Sequence, residues 1–122
     1  MNVKELRIGN YVIDNLEICQ VIQIEANGNV MTSCTSKFPI SHINELQSVE
    51  LTEDLLLKCE LGQVGASFVS DLIGVGTLRF ALKKIKDHFF IEYGGKYIRV
   101  TSLHELQNIY HFITKRELKV DL

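Results

Sequence analysis

The chain has 122 residues, 46% hydrophobic and 23% charged, with one Pro and eight Gly. That composition is ordinary for a globular domain and excludes collagen-like, disordered and disulfide-dense chains. A chain of this size buries roughly two thirds of the surface its unfolded form exposes, so a single domain over residues 1–122 is expected without help from a structural metal. Thirteen Lys and Arg against fifteen Asp and Glu give a net charge of −2, so any grip on nucleic acid has to come from a local patch. No apolar run is long enough to span a bilayer, and the charged start at residues 1–7 is unlike a secretory signal. A cytoplasmic protein with no membrane contact is the expectation.

Leu6, Ile8, Tyr11, Val12 and Ile13 predict a short first strand, with turns at Gly9-Asn10 and Asp14-Asn15. From Leu16 to Ala26 the even positions Leu16, Ile18, Ile22 and Ile24 are apolar and Glu17, Gln23 and Glu25 alternate with them, which predicts a strand burying its even face. Asn27-Gly28 suits a type I′ hairpin with a return strand from Asn29 to about Cys34. Pro39 denies its neighbourhood a central strand, while Ile40, Ile43, Leu46 and Val49 suit a further edge segment. Thr52, Glu53 and Asp54 form a helix start, with a helix over 52–61. Gly62, Gly65, Gly74 and Gly76 punctuate a middle region, 62–77, in which Ala66–Val69 and Leu78–Leu82 are read as strands.

The clearest unit is His88–Val100. Gly94-Gly95 joins two strands and pairs Tyr93 with Lys96, Ile91 with Ile98 and Phe89 with Val100 on an apolar face, leaving Glu92 with Tyr97 and Phe90 with Arg99 on a wet one. Ser102-Leu103-His104-Glu105 matches a capping box and opens a helix over 103–114. Its apolar stripe is Leu103, Leu106, Ile109, Tyr110 and Ile113. Leu118 and Val120 suit a terminal strand. The fold expected is α+β: a small curled antiparallel sheet or partial barrel packed with two α-helices.

Little in the chain spells out chemistry. Cys19, Cys34 and Cys59 are an odd number without a C-x-x-C pair, which reads as reduced, buried small hydrophobes rather than a disulfide or zinc knuckle. His42 and His88 stand apart, and His104 and His111 lack the spacing of a zinc-binding helix. The carboxylates Glu45, Glu50, Glu53 and Asp54 suit capping better than acid–base work. No metal, cofactor or catalytic residue is expected. Two binding surfaces are. The polar helix stripe His104, Gln107, Asn108, His111 and Lys115 is a candidate surface for a protein partner. Arg79, Lys83, Lys84 and Lys86, with Phe90, Tyr97 and Arg99, form a candidate basic edge strand for RNA or DNA, a role that competes with protection of that edge against aggregation.

Three segments stand out: Glu5-Leu6-Arg7-Ile8-Gly9-Asn10-Tyr11-Val12, Leu51-Thr52-Glu53-Asp54-Leu55-Leu56-Leu57-Lys58, and Leu103-His104-Glu105-Leu106-Gln107-Asn108-Ile109-Tyr110-His111-Phe112, the last followed by Thr114 and Glu117-Leu118. They resemble a group of small proteins of phages, prophages and mobile elements of Bacteroidota. Arg116 stands where that group usually has Gly, and the Pro common before Leu-Thr-Glu is absent. The resemblance implies a genetic setting rather than a chemistry. In that setting small domains often act by stoichiometric binding, so it implies a non-enzymatic interaction protein whose partner is a host protein or ribonucleoprotein complex, for example a CRISPR effector that it occludes. The alternative from another class is a small RNA- or DNA-binding module.

Overall fold

A computed structural model describes residues 3–34, 40–59, 61–64, 67–71, 79–93 and 95–122. Pro39, Ala66, Leu78, Gly65, Gly74, Gly76 and Gly94 lie outside the described residues, and with them most of the Gly-rich middle. Among the described residues the fold is α+β, as the sequence predicts. Ten strands form two five-stranded antiparallel sheets, ordered β4-β3-β2-β1-β5 and β10-β9-β8-β7-β6, where the sequence suggested one. The chain divides into two compact units, Met1–Glu50 with Ser102–Asn108, and Leu51–Thr101 with Ile109–Leu122.

In the first unit, a 3-10 turn at Val3–Glu5 leads to β1 (Tyr11–Asp14), β2 (Glu17–Ile24), β3 (Asn29–Thr32) and β4 (Ile40–His42). A second 3-10 turn at Ile43–Glu45 and β5 (Gln47–Ser48) follow. Arg7–Asn10 closes a tight turn by an Asn10 N–H to Arg7 carbonyl bond of 3.0 Å. Gly9 sits at φ +97, which only glycine adopts without cost. The second turn is Asn15-Leu16, one residue later than expected, with both residues left-handed at φ 51 and 68. That is the backbone of a type I′ hairpin built without glycine.

The hairpin at Asn27-Gly28 forms, but not as a type I′ turn. Gly28 N–H bonds the Glu25 carbonyl at 3.0 Å, and Gly28 alone of the pair is left-handed, at φ +95, so a type I turn is followed by a glycine bulge.

The burial of β2 is opposite to the expectation from its alternation. Cys19 and Val21 face inward at 2% and 0% exposure, while Leu16, Ile18 and Ile22 point out at 95%, 50% and 48%. A bulge splits the strand into two phases: Val21 pairs with Thr32 but Gln23 with Met31, so Ile22 is an extra residue, and the even positions that face out before it face in only after it. Beyond it Ile24 turns inward and joins Leu6, Val12, Val21, Val30, Ile43 and Leu46 in the core.

This sheet is strongly curled. Asp14 of β1 and Ser41 of β4 are three strands apart in sheet order, about 14 Å on a flat sheet, yet Ser41 Oγ donates to the Asp14 carboxylate at 2.9 and 3.0 Å. Thr32 Oγ1 adds a third bond at 3.3 Å.

The second unit starts with α1 (Glu53–Leu57), capped by Thr52, whose hydroxyl accepts from Leu55 N–H at 3.1 Å. It is shorter than predicted because Cys59 leaves the helix to bridge Val120, the short terminal pairing that Leu118 and Val120 suggested. Strands β6 (Gly62–Val64), β7 (Ser67–Asp71), β8 (Arg79–Ile85), β9 (His88–Tyr93) and β10 (Lys96–Val100) follow. The β9–β10 register is the one predicted, from Tyr93 with Lys96 to Phe89 with Val100. Leu82, Phe89, Ile91 and Val100 are buried. The last helix, α2 (Leu103–Thr114), has the predicted bounds, and the Ser102 hydroxyl accepts from Glu105 N–H at 3.4 Å.

Candidate functional site

The polar stripe of α2 divides. His104 and Gln107, each 2% exposed, are buried instead of presenting a surface, and Gln107 and Asn108 hold the chain's own amino-terminal segment. Gln107 Oε1 accepts from Tyr11 N–H at 2.9 Å, and its Nε2 donates to the Gly9 carbonyl at 3.0 Å. Asn108 Oδ1 accepts from Asn10 Nδ2 at 2.9 Å and from Arg7 Nε at 3.2 Å, while its Nδ2 donates to the Glu5 carbonyl at 2.8 Å. A buried polar side chain costs stability unless it is paired, and these amides pair the turn that Gly9 forces out of regular structure. The physical reason they face inward is therefore that the Arg7–Asn10 turn has backbone groups no strand can satisfy.

His104 lies beside this clamp. Its Nδ1 is 3.2 Å from Ser102 Oγ, and its Nε2 is buried without a hydrogen-bond partner, 3.9 Å from the Glu5 carboxylate. Burial pushes its pKa below the ordinary histidine value, against the opposing pull of Glu105 and Glu5. In the second unit His111 stays half-exposed with Nε2 3.9 Å from Glu117, and Lys115 is exposed with Nζ 5.2 Å over the Phe112 ring.

What the first unit does expose is an apolar sheet face. Ile18 and Ile22 of β2 are exposed at 50% and 48%, as are Leu16 in the β1–β2 turn and Ile8 in the turn before β1 at 95% and 60%, and half-buried Ile13 lies directly opposite Ile18. Scattered surface apolars are normal, but Ile13, Ile18 and Ile22 all lie on the outer side of the β1–β2 hairpin, and apolar residues grouped on one sheet face are of the kind that marks interaction sites.

The basic strand of the second unit is rearranged relative to the expectation. β8 is central in its sheet, between β7 and β9, so it is no edge strand and its lysines are not there to protect one. Alternation splits its charges. Lys83 shares the wet face with Phe90 and Arg99, which lie in one cross-strand row across β8, β9 and β10. Lys84 points to the other face, opposite buried Phe89, where Glu53 accepts from it at 2.9 Å and raises its pKa. Lys86 sits in the left-handed turn after β8, and Arg79 begins that strand opposite Asp71. Two of the row's charges are partly engaged: Lys83 lies 3.6 Å from Glu92, and Arg99 Nη2 donates to His88 Nδ1 at 2.9 Å. Tyr97, 56% exposed, stands one row away opposite Glu92.

No family model, curated protein or solved structure matches the chain.

The cysteines depart from the expectation of three reduced thiols. Cys19 and Cys34 are joined as a disulfide with Cα atoms 5.3 Å apart, and Cys59 is free and buried. Burial pushes the Cys59 thiol up to about 11, which keeps it protonated and inert at neutral pH. Among the described residues no helix is long and apolar enough to cross a membrane.

Besides the cysteine pairing, two features escaped the reading of the sequence. The outward isoleucines were hidden by the bulge at Ile22, which no local signal announces. The buried clamp had a signal, since Gln107 and Asn108 flank the apolar stripe of α2 at spacings that place them on its margin.

Proposed function

We propose that the protein is a non-enzymatic interaction protein that binds a host protein or ribonucleoprotein complex through the outer face of its first sheet. The observation that carries this reading is the exposure of Ile18 and Ile22 on β2, with Leu16 in the adjoining turn and Ile8 before β1. An alternating strand that buried its isoleucines would have gained stability from them, and leaving them wet costs roughly 25 cal/mol for each Å² of apolar surface not buried. In the setting the resemblance implies, the protein is encoded by a phage or mobile element, works in the bacterial cytoplasm, and inhibits a nucleic-acid-targeting defence complex such as a CRISPR effector by occupying it. The helix stripe then serves the fold through His104, Gln107 and Asn108, with His111 and Lys115 left outside the binding surface.

The test is affinity purification of tagged protein from its host, with nuclease treatment, comparing wild type with I18E/I22E. A stoichiometric partner retained by wild type after nuclease and lost by the variant supports the reading. A partner held equally by both removes it.

A second reading is favoured by the Lys83–Phe90–Arg99 row. An aromatic flanked by two cations on an exposed sheet face suits one stacked base with its neighbouring phosphates in single-stranded RNA or DNA. It predicts binding that falls steeply with salt and is lost in F90A/R99A. Salt-independent binding, or none, excludes it.

A further inference from the structure

Cys19 and Cys34 are separated by fifteen residues in sequence, but the β2–β3 hairpin brings them face to face. Ser33 N–H bonds the Gln20 carbonyl at 2.9 Å, and the next pair outward along the hairpin is Cys19 with Cys34. Glu17 lies two residues before Cys19 on β2. Its carboxylate and the two sulfurs all lie within 4.8 Å of one another. Cys19 is buried, Cys34 half-buried and Glu17 exposed, so the group is anchored in the sheet and open to solvent on one side.

We propose that, once the disulfide is reduced, Cys19, Cys34 and Glu17 form a binding site for a thiophilic divalent cation of the Zn²⁺ class. Two thiolates and a carboxylate are a zinc donor set, with the fourth position of a tetrahedron left to water on the open side. Thiolates favour such an ion over Mg²⁺ or Ca²⁺, which take oxygen ligands. The disulfide and the ion exclude each other, because the sulfurs coordinate only as thiolates. Reduction by a low-molecular-weight thiol breaks the S–S bond with two electrons and two protons, while two molecules of that thiol join in their own disulfide. Zn²⁺ then binds as the two thiol protons leave to solvent. A low-molecular-weight disulfide reverses the sequence and ejects the ion. Cys59, in the other unit, is not among these three ligands.

The experiment reduces the full chain with a phosphine, removes the phosphine anaerobically, and titrates Zn²⁺ in competition with a chromophoric chelator. Co²⁺ serves as the spectroscopic probe. The expected result is one Zn²⁺ per chain and a thiolate-to-cobalt charge-transfer band. Both are lost in C34S and in wild type reoxidised with glutathione disulfide, and E17Q competes less well than wild type. The reoxidised wild type carries no substitution, so it keeps the test decisive if C34S fails to fold. No uptake by the reduced wild type, or uptake that survives in C34S or after reoxidation, overturns the proposal. Uptake by E17Q equal to wild type removes Glu17 from the site.

Discussion

Leu16 is the residue whose placement is hardest to explain by folding. It is left-handed at φ 68, where a branched side chain is disfavoured, and it is 95% exposed. Glycine would adopt the same turn freely, so L16G is expected to raise stability by about 1 kcal/mol, read from urea unfolding. If Leu16 belongs to the binding face, the same variant binds the partner less tightly. Stability gained together with affinity lost is the signature of a residue kept for binding, and a loss of both would place Leu16 in the fold's own support. At His104 the buried ring favours its neutral form. Its folded pKa lies below the unfolded value near 6.5, so its contribution to stability is complete above that value and is lost as pH falls through the folded pKa. His104→Asn keeps a polar atom towards Ser102 and removes the titrating group. Its stability is expected to vary less between neutral pH and pH 5 than that of wild type, and equal slopes in chemical denaturation at several pH values would refute the assignment.

Among the elements, the amino-terminal turn and the first half of α2 make one structure held by side-chain amides. Gln107→Ala would leave the half-buried Tyr11 N–H without its acceptor and remove a donor from the Gly9 carbonyl. The expected loss is about 2 kcal/mol, measured by thermal or urea unfolding, whereas His111→Ala on the same helix is expected to cost little. The Cys19–Cys34 cross-link closes a fifteen-residue separation, and in the loop-entropy account its reduction costs up to about 3 kcal/mol. Unfolding with and without a phosphine reductant checks that.

Elements whose pattern is local were legible in the sequence. The Ser102 cap, the bounds of α2, the Thr52 cap and the full β9–β10 register follow from turn and capping residues that act over a few positions. The inward face of β2 was not legible, because a single extra residue at Ile22 splits the strand into two phases and only the partner strand reveals it. The amide clamp and the cysteine pair joined residues distant in sequence, which periodicity cannot connect. The two segments that carry the amino-terminal and α2 parts of the resemblance, at Arg7–Tyr11 and Gln107-Asn108, turn out to bond each other. Those residues are accounted for by architecture, which leaves the proposed binding surface to other parts of the chain.

At the scale of the whole molecule, the residues that build the core are distinct from those that the proposed function assigns to a partner. In the first unit the isoleucine face is unneeded by the core that Leu6, Val12, Val21 and Val30 supply. In the second, the wet face aligns Lys83, Phe90 and Arg99 while buried Leu82 and Ile91 pair behind it. A net charge of −2 gives no long-range attraction to nucleic acid, so binding by that row would be short-ranged and quenched by salt. Binding through the isoleucine face would persist or strengthen as salt rises.

The most direct measurement is the affinity of the captured partner for four purified forms: wild type, I18E/I22E, H111A/K115A and F90A/R99A. All three pairs of substitutions lie at solvent-accessible positions, and circular dichroism confirms that each form is folded. The account predicts that I18E/I22E abolishes binding while the other two retain wild-type affinity. Unchanged affinity in I18E/I22E, with loss in either of the others, would contradict it and move the binding surface to α2 or to the β8–β10 face.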